Sequence, residues 1–490
     1  METVKKQTWR FVFAAVLCPA LCVGPGATAV YAQRDSSRLS KIQRIDTVIV
    51  IGSRQPEKII PAQVLDGTAL QRLSVHSVAD AIRYFSGVQI KDYGGLGGLK
   101  TINVRSMGTQ HVGVFYDGVQ LGNAQNGQID LGKYSLDNMA AVTLYNGQKS
   151  SGVQSAKDYA SASAVYLQTR TPEFADGKRH NLKLTFKGGS FGTANPSVLY
   201  EQKIGERLSN SFNAEFLYTT GRYKFSYVKA DGYDTTAMRR NGDVRAVRVE
   251  NGLFGRIKEG SWRAKLYFYN SERGYPGAFV REEPGKFKHE DRQWDTNFFL
   301  QGGLNKAFGS WYRLSVNAKY AYDYLHYLSD PRLDVTTMYV NNHYHQQEAY
   351  LSAAHEFTLF NWWDVNLAAD FQYNTLDADL VNFVYPSRFT TLAALATSLR
   401  FDKVKIQGSL LYTFVDDSAE EAGAAAERKN VFTPTVVAQY TPFHTIDLSL
   451  RAFYKRIFRM PTLNDLYYTF IGNKYLKPEY TTQYNIGLTY

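Results

Sequence analysis

The chain has 490 residues, 14% of them aromatic (35 Tyr and 29 Phe), and carries a formal charge of +11. Its two cysteines, Cys18 and Cys22, fall in an apolar leader, so the rest of the chain holds no disulfide framework and no cysteine–zinc site. The positive charge is spread along the sequence, which suits anionic lipid headgroups or an anionic ligand and not nucleic acid.

Residues 1–32 read as a secretory signal. Lys5, Lys6 and Arg10 form its basic start, 11–23 its apolar core, and Val30-Tyr31-Ala32 its cleavage site. The core is shorter than the roughly 20 residues of a membrane span. Leu17 and Leu21 precede the cysteines where a lipoprotein signal wants a small residue. Removing 1–32 takes away three positive charges and one negative, leaving +9. Residues 33–54 then form a flexible lead. Within it, Asp46-Thr47-Val48-Ile49-Val50 is a short β-prone peptide. An extended peptide so placed can add a strand to the sheet edge of a periplasmic partner; elsewhere the same five residues would be an ordinary strand.

Residues 55–172 read as a compact α+β domain. Leu70, Leu73, Val78, Ile82 and Phe85 have helical spacing over 69–85, with Ser77 a candidate cap before Asp80. Gly94-Gly95-Leu96-Gly97-Gly98 is a turn that lacks the strand-to-helix setting of a nucleotide loop. Short strands are expected at 101–105, 112–116, 141–145 and 165–169.

From 180 onwards the period is two. Leu182, Leu184 and Phe186 alternate with Lys183, Thr185 and Lys187; Trp262, Ala264, Leu266 and Phe268 alternate with Arg263, Lys265, Tyr267 and Tyr269. Similar sets recur at 314–320, 365–371, 404–410 and 448–454. Such faces suit a half-buried soluble sheet or a transmembrane barrel with a wet lumen. The soluble reading needs a second layer, and no long helix in this part supplies one. A membrane-spanning chain without apolar helices must close its strands into a barrel. Aromatics at strand ends, Tyr320, Tyr322, Phe453 and Tyr454, fit interfacial girdles. Polar stretches at 221–250, 272–294, 324–347, 374–390, 415–431 and 460–478 are the expected long loops. No G-x-S-x-G, H-E-x-x-H or spaced Cys/His set suggests an enzyme.

Several short motifs fall in a consistent order. Ser77-Val78-Ala79-Asp80-Ala81-Ile82 precedes Ser86-Gly87-Val88-Gln89-Ile90; Ile102-Asn103-Val104-Arg105-Ser106-Met107-Gly108 and Val114-Phe115-Tyr116-Asp117-Gly118-Val119 follow. Near the other end stand Phe458-Arg459-Met460-Pro461-Thr462-Leu463-Asn464-Asp465-Leu466 and Leu476-Lys477-Pro478-Glu479. In this order they resemble the TonB-dependent outer-membrane receptors, over the whole chain after the signal, and most closely their cobalamin-receptor-like branch. The resemblance implies an N-terminal plug inside a β-barrel in the outer membrane of a Gram-negative bacterium. It makes 46–50 a TonB box for a periplasmic TonB-type energy transducer. It also implies that Arg105 and Glu479 latch plug to barrel. Ser106 replaces a family glycine, and Asn146 stands where most members carry a second latch arginine. Barrels of this kind have about 22 strands, needing more than about 400 residues. About 310 follow the plug, enough for roughly 14–16 strands, so a partial barrel is expected.

For the transported ligand, Asn123, Gln125, Asn126 and Gln128 form an amide-rich loop expected at the plug apex, suited to the amides of a corrinoid; an ordinary polar turn would look the same. Two rivals stay open. His326, His343 and His345 fall in one expected loop, where imidazole could ligate haem iron, and a basic lumen would suit an anionic ferric siderophore. Asp231 and Asp234, with Asp243 nearby, are calcium candidates, since hard cations take oxygen ligands. A surface receptor or adhesin that binds without transporting is the alternative of another class.

Overall fold

A computed structural model describes residues 59–490, apart from 60–61, 74, 150–151, 229–231, 233, 277–290, 331–337 and 444. The expected TonB box at 46–50 and Asp231 lie outside the described residues.

The plug is built from β1 (Ala62–Asp66), α1 (Gly67–Arg72), α2 (Val78–Ile82), β2 (Val88–Asp92), β3 (Lys100–Val104), β4 (Val112–Tyr116), β5 (Val119–Gln120), β6 (Met139–Tyr145) and β7 (Ser163–Thr169). Five of these strands form one sheet in the order β1-β6-β7-β4-β5, with β4 and β7 parallel; β2 and β3 pair separately. The expected single helix over 69–85 is two short ones. Ser77 is extended (φ −139°, ψ 164°) and its hydroxyl accepts from the Asp80 amide at 3.4 Å. A capping residue stands outside the helix it starts, so the cap that the sequence shows also marks the break. Between β4 and β5, Asp117 and Gly118 both have positive φ (48° and 87°), as a two-residue hairpin turn requires.

The remaining strands are β8 (His180–Gly189), β9 (Thr193–Lys203), β10 (Leu208–Thr219), β11 (Tyr223–Val228), β12 (Asp234–Arg239), β13 (Val244–Ile257), β14 (Gly260–Tyr275), β15 (Asp291–Phe308), β16 (Tyr312–Ser329), β17 (Val340–Phe360), β18 (Trp363–Ala378), β19 (Ser387–Arg400), β20 (Val404–Ser418), β21 (Lys429–Tyr440), β22 (Ser449–Arg459) and β23 (Glu479–Thr489). All but β11 and β12 form one antiparallel meander of 14 strands; β11 and β12 make a hairpin in the connection between β10 and β13. From β13 to β21 the connections alternate between short turns at one end and longer segments at the other.

The wall is a soluble protein turned inside out. Leu182, Leu184 and Phe186 are 64%, 73% and 72% exposed on its outside, whereas Glu250, Lys265, Asp295 and Asp370 are buried on its inside. Ordinary burial would reverse this, so the outer face matches an apolar solvent. Tyr312 and Tyr322 face outwards ten residues apart on β16. That is about 33 Å of strand, or about 25 Å at a tilt near 40°, the height of a lipid-facing band. Trp311, Phe360, Trp362 and Phe401 stack around the short turns. Of the expected girdle residues, Phe453 instead turns inwards, against Val437 and Ile59.

The strands are longer than their apolar segments. β17 alone runs 21 residues, so much of the polar sequence expected as loop is paired strand projecting beyond the greasy band. Polar residues continue a ladder there because its backbone bonds do not depend on side-chain hydropathy.

Candidate functional site

The plug is fastened to the inner face of β8 and β13–β15 by buried charge. Asp117 receives two bonds from Thr169, at 2.9 Å from its amide and 2.7 Å from its hydroxyl. Lys265 Nζ stands 2.9 Å from Asp117 Oδ2, and Arg263 donates to the Asp117 carbonyl. Burial alone would raise the Asp117 carboxyl; Lys265, then Arg263 and the Thr169 bonds, outweigh it and hold the group below the usual carboxylate range. Tyr116 donates to Glu250 at 2.8 Å and packs among Tyr134, Tyr267 and Phe299.

Beside it, Arg273 bonds Asp130 at 3.0 Å, the Gly97 carbonyl at 3.0 Å and Asp295 at 2.8 Å. Plug residue Lys133 reaches Asp295 at 3.2 Å and Asn297 at 2.9 Å. Asp137 pairs with Lys187 of β8 at 2.8 Å. Three ion pairs here join a plug carboxylate to a barrel cation, and Lys133 with Asp295 is the reverse. Sequence reasoning missed all of them. Their only signal was charge on the strand faces opposite the greasy ones.

The expected latch differs. The Arg105 side chain is exposed, and Arg105 and Ser106 both have positive φ (51° and 60°). Ser106 therefore occupies backbone that a glycine adopts without strain. Glu479 pairs instead with Arg459, its neighbour across the β22–β23 ladder, at 2.5 Å and with plug residue His111 at 3.1 Å. His111, and not Arg105, is the plug residue that Glu479 meets. Asn146 makes no second ion pair.

The apex loop holds itself together. Asn123 donates to the Gln128 carbonyl at 3.1 Å and accepts from the Asn126 amide at 3.2 Å; the Asn126 side chain accepts from the Gln128 amide at 3.1 Å. Gln125 is buried against Gln346. The expected ligand amides thus shape the loop. They present its backbone to α3 (Leu463–Tyr467): the Ala124 and Gln125 carbonyls accept from Leu463 and Asn464, both at 2.9 Å. The far side of α3 and the segment after it line a cavity of about 720 Å³ among the long connections. Met338, Tyr339, Leu380, Val381, Tyr468 and Phe470 give it an apolar, aromatic rim, with Asp379, Glu421 and Lys474 as its charges. This vestibule rests on the apex loop through α3, and none of the four expected amides is in its lining.

His326, His343 and His345 are not in a loop. They lie on the paired strands β16 and β17, His326 opposite His343 with rings stacked at 4.0 Å. Tyr344 and Gln346, between and beside the two on β17, face the lumen, so His343 and His345 face outwards; His343 bonds Asp379 of the vestibule at 2.5 Å. Asp234 begins β12. No cluster of three metal-ligating side chains occurs among the described residues.

Known proteins share this arrangement. The family described as "TonB dependent receptor-like, beta-barrel" matches residues 113–490, and "TonB-dependent Receptor Plug Domain" matches 56–157. The vitamin B12 transporter BtuB of Vibrio vulnificus (strain YJ016) is 23% identical over 469 residues, covering 91% of this chain and 68% of its own. The copper transporter OprC shares the fold with a TM-score of 0.65 at 13% identity, over 89% of this chain and 72% of that one. The FrpB iron transporter of Neisseria meningitidis has a TM-score of 0.66 at 11% identity, over 83% and 66%. The chain thus spans 66–72% of the length of these relatives. The relatives named here are transporters and not enzymes. With both family descriptions matched and a plug seated inside a wall that is apolar outside and charged within, the chain belongs to the TonB-dependent receptors.

Proposed function

We propose that this chain acts in the outer membrane of a Gram-negative bacterium as an importer of a bulky, scarce nutrient, with a corrinoid as the favoured ligand. The observation that carries this is the vestibule seated, through α3, on the plug's apex loop. A ligand gripping Tyr339 and Phe470 bears on α3, and α3 bears on Ala124 and Gln125, so occupancy outside is felt by the plug. The 46–50 peptide then offers its edge to a TonB-type transducer, which supplies work and no bond chemistry.

The charges of the vestibule support the ligand class. Two acids and one lysine, Lys474 being bonded to the Gly423 carbonyl at 2.5 Å, do not favour a polyanionic ferric siderophore. A large ligand with an apolar ring face and uncharged amides fits an aromatic rim of mixed charge. The likeness to a vitamin B12 transporter points the same way. Haem is the second reading, by stacking on the same aromatics, and without the three histidines.

Deleting 46–50 tests the transport reading: uptake is lost while surface binding persists. Uptake that survives the deletion rules out the importer. Competition among labelled cobalamin, haem and ferric siderophores for the intact receptor tests the ligand, and a corrinoid that fails to compete removes that choice.

A further inference from the structure

The outside of the wall changes character at its long-connection end, just above the greasy band. The ladders place Trp294, His326 and His343 in one outward row, and Thr296, Tyr324, His345 and Asp377 in the row beneath it. Rings stack along the upper row, Trp294 on His326 at 4.5 Å and His326 on His343 at 4.0 Å. This face holds an open cleft of about 470 Å³, lined by Thr296, Tyr322, Tyr324, His343 and His345. The Tyr322 hydroxyl bonds His345 at 2.7 Å, and the Tyr324 ring lies 4.9 Å from the same imidazole. Lower on the same face Leu300, Tyr320 and Leu351 are exposed. Tyr322 marks the upper edge of the band that matches hydrocarbon, and Tyr324 and His326 follow it at every second residue of β16. Strand rise and tilt put them about 5–10 Å above that edge, where the headgroups of a bilayer lie.

The chemistry of the cleft narrows the headgroup. Aromatic faces carry partial negative charge and attract the C–H face of a ring laid on them, while hydroxyls and imidazoles both donate and accept. A phosphate wants uncommitted cations. Here Arg292, on the same face, is held by Asp243 at 3.0 Å and Glu272 at 2.6 Å, and His343 by Asp379 at 2.5 Å. Asp377 stands opposite His345, so carboxylates border the cleft and disfavour an anion. We infer that the cleft docks the uncharged sugar ring of a membrane glycolipid, whose acyl chains lie on the greasy face below. The ring stacks on the aromatics, and its hydroxyls exchange hydrogen bonds with Thr296, Tyr324 and the imidazoles. The inference rests on the outer-membrane placement proposed above, and on neither transport nor the imported ligand.

The test uses the full chain in phosphatidylcholine nanodiscs doped with either a glucosyl diacylglycerol or phosphatidylglycerol. Native mass spectrometry counts the lipids that stay on the released receptor. The glucosyl lipid should be retained in preference to phosphatidylglycerol. Trp294→Ala and Tyr324→Ala should each lower its retention about threefold to tenfold, the loss of one aromatic contact. Trp311→Ala, in the girdle at the short turns, should leave retention unchanged. Trp294 and Tyr324 face away from the plug, so protease resistance of the plug shows that each variant is folded. Equal retention of the two lipids, unchanged retention in both variants, or an equal loss in Trp311→Ala overturns the docking site. So does displacement of the lipid by an equal concentration of free methyl glucoside, which would make the cleft a site for soluble sugar. Failure of the receptor to enter the discs would sink the membrane placement itself, a result distinct from lost selectivity in a receptor that enters.

Discussion

Arg273 of β14 holds Asp130 of the plug at 3.0 Å while its other terminal nitrogen holds Asp295 of the neighbouring strand at 2.8 Å. One buried guanidinium thus joins the plug to two strands' worth of wall. Removing one member of a buried ion pair leaves an uncompensated charge, at a cost of about 3–5 kcal/mol. Arg273→Met strands two carboxylates with Lys133 as their nearest cation and should loosen the plug by about that amount. Asp130→Asn should cost less, because Asp295 still neutralises the arginine. The urea midpoint for protease cleavage within the plug reads both. Equal shifts for the two variants would contradict the bridging role.

Asp117 gives the seam its acid dependence. Its carboxyl is lowered in the folded protein, so the stability it contributes is present above the ordinary aspartate range and is lost as pH falls through its folded value. Docking of the native plug should therefore be insensitive to this group between about pH 5 and 8. In Lys265→Met the main opposing charge is gone and burial favours the protonated carboxyl, so docking strengthens as pH falls and weakens as pH rises through the aspartate range. Plug protection measured against pH, native beside variant, shows this as an acid limb of opposite slope.

Much of this was legible in the sequence, and the exceptions share a cause. The alternation at Leu182, Leu184 and Phe186 identified outward faces because lipid and lumen differ in polarity at every second residue. β4 was legible to the residue, since Val112–Tyr116 is apolar on both sides and ends in the Asp117-Gly118 turn. Strand lengths were not. Beyond Tyr322 the strand continues past the greasy band, so Tyr324 and His326 carry no apolar alternation although they are paired. The latch was illegible for another reason: Asp130 and Arg273 are 143 positions apart, and a charge on a strand's polar face looks alike whether water or a plug covers it.

Two glycines mark where plug backbone meets the wall. A Cβ on Gly97 would stand 2.2 Å from Val244 Cγ2, and one on Gly122 would stand 1.8 Å from the Glu348 carboxylate. Gly97 also lends its carbonyl to Arg273. Gly97→Ala must push the plug from a packed branched side chain, and overpacking of this kind costs about 1–3 kcal/mol. Gly122→Ala displaces Glu348 from Lys319, its partner at 2.8 Å. Both variants should shed plug protection at lower urea. Native-like protection in Gly97→Ala would show that the contact yields.

Tyr339 and Phe470 are each 59% exposed on the rim of the vestibule. If the ligand stacks there, Tyr339→Ala and Phe470→Ala each lose an aromatic contact worth about 0.5–1.5 kcal/mol beyond area, a loss of roughly threefold to tenfold in affinity. Plug protection should not move, because neither ring touches the plug. Equilibrium binding of labelled cobalamin to whole cells measures the loss, and unchanged affinity in both variants would put the ligand elsewhere.

His111 makes the opposite side of the plug sensitive to mild acid. Burial lowers its pKa, Arg459 lowers it further, and Glu479, at 3.1 Å, opposes them without prevailing. A histidine whose folded pKa lies below its unfolded one favours the fold when neutral. The stability it contributes is full above about pH 6.5 and declines as pH falls from there towards the folded value. Plug protection should thus weaken between about pH 7 and pH 5, a range where Asp117 is silent. Glu479→Gln removes the one group that supports the imidazolium and should steepen the decline. His111→Gln keeps a polar side chain that does not titrate and should flatten it. A decline that persists unchanged in His111→Gln would assign the acid response to another group.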